Sequence, residues 1–142
     1  MHWLKLTQFW PHWGYNLETI LAEKLETILR RGVFTTRPRD FYDVYILATT
    51  QEYDLKILYS ALNATAKHRE SINAISNITN ILEEIKINMN LKNQWEKYQR
   101  QFPYAKDIEY EHLIKVLDDL LKTYTPPNWK KQALICSKYI VV

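Results

Sequence analysis

Lys24, Asp40 and Asp43 are the residues of this sequence whose types and spacing suit shared chemistry. An ammonium is a compact cation that takes phosphate oxygens, and a carboxylate holds a cation or accepts a proton. Lys24 lies in LETILAEKLETILRR (residues 17–31). The aspartates lie in RPRDFYD (residues 37–43), which also supplies Arg37 and Arg39. Whether these groups meet depends on the elements that carry them.

The first element reads as a helix with both ends written in its residues. Asn16 is a suitable N-cap, Tyr15 can staple onto Ile20, and Glu18 places a carboxylate in the first turn. Arg30 and Arg31 occupy the last turn, and Gly32 follows as a left-handed stop. Leu17, Ile20, Leu21, Leu25, Ile28 and Leu29 form the apolar face of this helix over 17–31. Lys24 falls inside that stripe, four residues from both Ile20 and Ile28. Two readings follow: a snorkelling side chain whose stem covers apolar surface, or a cation held near a carboxylate or a phosphate.

The second helix supplies the carboxylates. Pro38 pre-sets its first turn, Arg37 or Thr36 lies at the cap, and Asp40 sits where the helix dipole favours negative charge. Asp40 precedes Val44 by four residues and Leu47 by seven, so it shares their face, and Asp43 lies on the adjoining edge. The connection over 32–36 is short enough to bring the inward faces of the two helices together. Lys24 and Asp40 are then expected to meet. From geometry alone the plainer outcome is a partly buried ion pair that fixes the helical hairpin, with Arg37 and Arg39 as solvated charges.

The rest of the chain reads as scaffold. Asp54 is expected to cap a helix on Leu55, Leu58, Tyr59, Leu62 and Ala66, whose end carries His68 and Arg69 as charges suited to the dipole. Ser71 is expected to cap one on Ile72, Ile75, Ile78, Leu82 and Ile85. Residues 90–102 mix Lys92, Lys97 and Arg100 with aromatics, a composition found in nucleic-acid binders. Leu91, Trp95, Tyr98 and Phe102 nevertheless repeat at helical intervals, which points those rings inward. Pro103 breaks this helix. Tyr110, Leu113, Ile114, Leu117, Leu120, Leu121 and Tyr124 mark the strongest amphipathic stripe, stopped by Pro126 and Pro127. Residues 1–14 carry three tryptophans and a phenylalanine without clear periodicity. They remain an unassigned aromatic arm, read as an edge strand or as an apolar segment that docks on the helices or on a second chain.

Composition sets the class. The chain has 142 residues, 46% of them hydrophobic, with Gly 2 and Pro 5. So few turn-formers leave long uninterrupted helical segments, and the expected fold is all-α: a compact bundle of about five to seven helices in a domain over 15–142. The formal net charge of +3 is too mild to imply nucleic acid. The lone Cys136 offers neither an internal disulfide nor a metal cluster, which suits a reducing cytoplasm. No apolar run approaches the ~18 residues of a membrane span, so no membrane partner is expected.

The runs LETILAEKLET (17–27) and TRPRDFYD (36–43) resemble the latter part of the AbiEii/AbiGii toxin family, the nucleotidyltransferase-like toxins of type IV toxin-antitoxin, or abortive infection, systems. ALNATAKHR (61–69) and WEKYQ (95–99) resemble the helical portion of the same family, so the resemblance spans 15 to about 107. It implies that Lys24 contacts nucleotide phosphate and that Asp40 is an acidic residue needed for transfer. Asp43 belongs beside it, and Arg37 and Arg39 are implied phosphate or RNA contacts. Mg2+ and a nucleoside triphosphate are implied as cofactors of complete family members.

The sequence also departs from the family's pattern. Such toxins carry a Gly-Ser turn that seats phosphate and an Asp-x-Asp pair that holds the catalytic metals. Gly14 and Gly32 are followed by Tyr15 and Val33, and no two aspartates are separated by one residue. The expectation is therefore the C-terminal helical half of such a toxin, inactive alone and needing no cofactor by itself. It would partner an antitoxin, a complementary N-terminal toxin half or itself as a homo-oligomer, with Trp3, Phe9, Trp10 and Trp13 as the contacts of self-association. The alternative is a helical protein-protein interaction module in which the ion pair is purely structural.

Overall fold

Asn16 opens the first helix, α1 (Leu17–Arg31), by accepting a 2.7 Å hydrogen bond from the Thr19 amide, which satisfies one of the donors a helix start leaves unpaired. The computed structural model describes residues 16–35 and 37–127. Within it α1 ends at the expected glycine: the Gly32 N–H bonds the Ile28 carbonyl, with φ +52° and ψ −130°. The positive φ favours glycine. Its ψ, however, lies outside the left-handed helical region, and the chain passes into a 3-10 turn, Gly32–Phe34. An added Cβ would meet nothing closer than Ile81 at 3.8 Å, so the requirement lies in the backbone and not in space.

Six further α-helices follow: α2 (Pro38–Thr50), α3 (Leu55–His68), α4 (Ile72–Ser76), α5 (Ile78–Ile87), α6 (Met89–Gln101) and α7 (Tyr110–Leu121). The fold is all-α, with seven α-helices and no strand among the described residues. Asp54 caps α3 by accepting from the Lys56 and Ile57 amides, while its own N–H donates to Glu18 at the start of α1. Those contacts set the two helices side by side. α1 packs most extensively on α3 and then on α2, and α7 closes against α2 and α5.

The predicted stripes form the core. Leu21 and Leu25 of α1, Leu47 of α2, Leu58, Leu62 and Ala66 of α3, and Ile75 and Ile85 are all fully buried. Each large aliphatic side chain so placed contributes roughly 1.5–3 kcal/mol. The aromatics of α6 turn inward as their spacing requires: Leu91, Trp95 and Tyr98 are buried, and the Trp95 indole donates to the Ile108 carbonyl at 2.8 Å.

Two expectations are corrected. The single helix predicted over 72–85 is two, broken at Asn77, which ends α4 and begins α5. The apolar period continues across the break, which is why periodicity does not reveal it. Ser71 does stand before α4, but its hydroxyl makes no capping bond and donates instead to Glu26. A buried carboxylate is the stronger acceptor partner for that hydroxyl, and it takes Ser71 from its cap. Residues 1–14, the Tyr15 staple, Thr36 and the segment over 129–142 lie outside the described residues. No helix among the described residues is long and apolar enough to cross a membrane.

Candidate functional site

The short connection after α1 turns α2 back against it, and Lys24 meets both aspartates. Its Nζ lies 2.6 Å from Asp43 Oδ2 and 3.6 Å from Asp40 Oδ1. The order of the two contacts differs from the sequence expectation. Asp43, placed at the edge of the stripe, is fully buried and bonds Lys24 directly, while Asp40 makes the longer contact. Asp43 precedes Leu47 by one helical repeat, so burying Leu47 carries Asp43 inward with it. Both carboxylates therefore face the core, beneath a lysine whose side chain is 26% exposed.

Arg37 and Arg39 stand at the rim. Arg37 Nε is 3.8 Å from Asp40 Oδ2 and Arg39 Nε is 3.9 Å from Asp43 Oδ1, with both arginine side chains more than half exposed. These separations give attraction without a hydrogen bond. Asp40 Oδ2 and Asp43 Oδ1 are consequently buried acceptors with no hydrogen-bond partner, each a cost of about 1–3 kcal/mol. Burial pushes the Asp43 carboxyl above the usual carboxylate range. The hydrogen bond and charge of Lys24 and the charge of Arg39 oppose that rise, and Asp40 adds to it.

The pair does not fit a divalent cation. Mg2+ takes hard oxygen ligands with most of its coordination shell open to water or phosphate. Here Asp40 Oδ2 and Asp43 Oδ1 lie nearest Arg37 and Arg39, and the other two oxygens lie nearest Lys24, at 3.6 Å for Asp40 and 2.6 Å for Asp43. No group of three or more His, Cys, Asp or Glu among the described residues is placed to hold a metal ion.

Two features of the site leave no signal in the sequence pattern. The first is Glu26, one turn from the stripe's polar edge yet fully buried. It accepts from Arg69 at 2.6 Å, Arg30 at 2.8 Å and Ser71 at 2.9 Å. Burial raises its pKa, but the hydrogen bonds from Arg69, Arg30 and Ser71 outweigh burial and hold the carboxyl below its ordinary value. Arg69, expected only to complement a helix dipole, thus ties the end of α3 to α1. Only Arg30, four residues on, was legible as a partner. The second feature is an aromatic cluster beside the aspartates. Tyr42 packs on Tyr104 with ring centroids 4.9 Å apart, and Tyr98 packs on Phe102 at 4.7 Å. The Tyr98 and Tyr104 hydroxyls hydrogen-bond at 2.7 Å. Burial first, then the bond to Tyr104, raise the Tyr98 phenol well above its ordinary pKa, with the nearby Asp43 adding to the shift and Arg39 opposing it.

The fold and the site together define a helical domain that holds an ammonium over two buried carboxylates at a hairpin, with two exposed arginines at its edge. The family model for the nucleotidyl transferase AbiEii toxin of type IV toxin-antitoxin systems matches residues 13–123, and the chain belongs to that family. The match takes in Lys24, Arg37, Arg39, Asp40 and Asp43, and runs beyond the region of resemblance through α7. No curated protein and no solved structure matches the chain.

Proposed function

We propose that this chain supplies the phosphate-binding end of a nucleotidyl-transfer site of a toxin-antitoxin system. The observation that carries this reading is the Lys24 cluster itself. Three cations (Lys24, Arg37 and Arg39) surround two carboxylates, and the arginines keep guanidinium donors that no carboxylate among the described residues occupies at hydrogen-bond distance. The surplus positive charge favours a polyanion. Lys24 takes nucleotide phosphate, Asp43 and Asp40 fix its ammonium and supply the acidic groups, and Arg37 and Arg39 receive further phosphate oxygens, of a triphosphate or of RNA.

The 142 residues by themselves transfer no nucleotide. Phosphoryl-type transfer needs metal ions held by closely placed carboxylates and a seat for the phosphates. The sequence has neither an Asp-x-Asp pair nor a Gly-Ser turn. In this reading these residues act in the cytoplasm with a partner: a segment or chain bearing those elements, a cognate antitoxin, or a second copy of the chain.

The test is a radiolabelled transfer assay to RNA and protein with each of the four nucleoside triphosphates and magnesium, beside triphosphate binding by the same samples. The wild type should bind without turnover, and Lys24→Ala should lose the binding. Robust labelling by the wild type, lost in Lys24→Ala and Asp40→Ala, would overturn the inactive reading. The second reading, an interaction module with a structural ion pair, is favoured by the 2.6 Å bond from Lys24 to a fully buried Asp43. Absence of any triphosphate binding, with Lys24→Ala markedly destabilised, would select it.

A further inference from the structure

Tyr104 is 53% exposed, yet its ring has little freedom. Tyr42 packs against it at a centroid distance of 4.9 Å, Phe102 stands at 5.5 Å, and its hydroxyl is tied to that of Tyr98 at 2.7 Å. The loop beneath is clamped by one carboxamide. Gln99 Nε2 donates to the Ile108 carbonyl at 2.7 Å and shares its two N–H groups with the carbonyls of Ala105 and Lys106, each at 3.2 Å. An exposed tyrosine ordinarily keeps its rotamer freedom, and holding one still has an entropic cost. Here contacts to Tyr42, Tyr98 and Phe102 hold a residue that still leaves about half of its surface to solvent.

The position of this ring relative to the charged site follows from α2. Arg39, Tyr42 and Asp43 stand at i, i+3 and i+4 on that helix, so they share one face. Tyr104 rests on Tyr42, with ring centroids 4.9 Å apart, and its hydroxyl bonds that of Tyr98, whose ring lies 6.3 Å from Tyr42. Tyr104, half-exposed, thus rests on the α2 residue next to Asp43, whose carboxylate holds Lys24. That is the juxtaposition a nucleotide needs: a flat π-face for the base and cations for its phosphates.

We infer that Tyr104 is a stacking platform for an unpaired nucleobase whose phosphates lie on Arg39 and Lys24. This rests on the phosphate-binding reading above and adds to it a second subsite and the ligand group that subsite takes. The base has two sources with the same chemistry, a free nucleoside triphosphate or the single-stranded end of an RNA.

The experiment measures binding to the full chain by titration calorimetry, with four kinds of probe: the nucleoside triphosphates, inorganic tripolyphosphate, a short single-stranded RNA and the same RNA in duplex. Tyr104→Phe keeps the ring, Tyr104→Leu keeps bulk on Tyr42 without a π-face, and Lys24→Ala removes the cation. The triphosphates or the single strand should bind more tightly than their controls, tripolyphosphate and duplex. Tyr104→Leu should weaken that binding by about 5- to 150-fold, Tyr104→Phe should retain it, and neither should alter tripolyphosphate binding. The probe that responds to Tyr104→Leu identifies the source of the base. Tripolyphosphate binding that depends on Lys24, with no base-bearing probe sensitive to Tyr104→Leu, would overturn the platform and leave the phosphate site standing. Failure of every probe to bind would overturn both.

Discussion

Two buried carboxylate clusters flank α1, and they are built on opposite principles. Glu26 is fully enclosed and receives donors from Arg30, Arg69 and Ser71, all within 2.9 Å. Asp43 is as deeply buried but receives one short bond, from Lys24, and keeps an oxygen without a hydrogen-bond partner, as Asp40 does beside it. The consequence is an opposite shift of their pKa values. Glu26 is held below its ordinary value of 4.5, whereas Asp43 is pushed above its ordinary 3.8. A satisfied carboxylate fastens helices together. An under-satisfied one with cations at its rim retains electrostatic capacity for something else, and that is why the functional reading rests on the aspartates and not on Glu26.

The largest loss of stability is expected at Glu26. Glu26→Ala should remove roughly 2–4 kcal/mol of stability, since it opens a cavity and strands the donors of Ser71 and two arginines. The arginines' partial exposure keeps the loss from being larger. Urea unfolding measures it, and a change below half a kilocalorie would show that the cluster does not fasten α3 to α1.

The next effect is one of sign. Because Glu26 titrates lower in the folded state, its stabilisation is fully present above pH 4.5 and is lost as pH falls through its depressed folded value. Asp43 behaves oppositely. Its raised folded value means that it opposes folding at neutral pH, and the penalty fades as pH falls through that value toward 3.8. Melting temperatures across pH 3 to 7 should therefore separate the isosteric variants. Glu26→Gln should melt lower than wild type at neutral pH and converge on it in acid. Asp43→Asn should melt no lower at neutral pH, with any advantage shrinking in acid. Parallel curves for the two variants would erase the distinction.

The smallest effect on stability belongs to the rim. Arg37→Ala and Arg39→Ala remove exposed charges at 3.8 and 3.9 Å from their carboxylates, and each should change stability by less than about 0.5 kcal/mol. Both should nonetheless weaken triphosphate binding. Stability loss without loss of affinity would make these arginines structural partners of the aspartates.

What the sequence determined by itself is what local chemistry controls. Asn16, Gly32 and Asp54 mark helix ends through bonds made within a few residues, Pro38 does so through its fixed φ, and the 3.6-residue stripes assign the core because burial of apolar faces follows period. The Lys24 and Asp40 encounter was legible for the same reason: a short connection between two striped helices leaves little choice of partner. The break at Asn77 was not, since the apolar period runs through it undisturbed. Only the tertiary structure decided that Asp43 rather than Asp40 bonds Lys24 directly, because the rotation of α2 about its own axis is fixed by the packing of Leu47 and its neighbours. It also decided the partners of Glu26, which lie 43 and 45 residues away in Arg69 and Ser71. The same holds for the seat of Tyr104, where a loop clamped by Gln99 lays its ring on Tyr42. Contacts at such separations leave no period and no motif in the chain. They exist only once the helices have chosen which faces to bury.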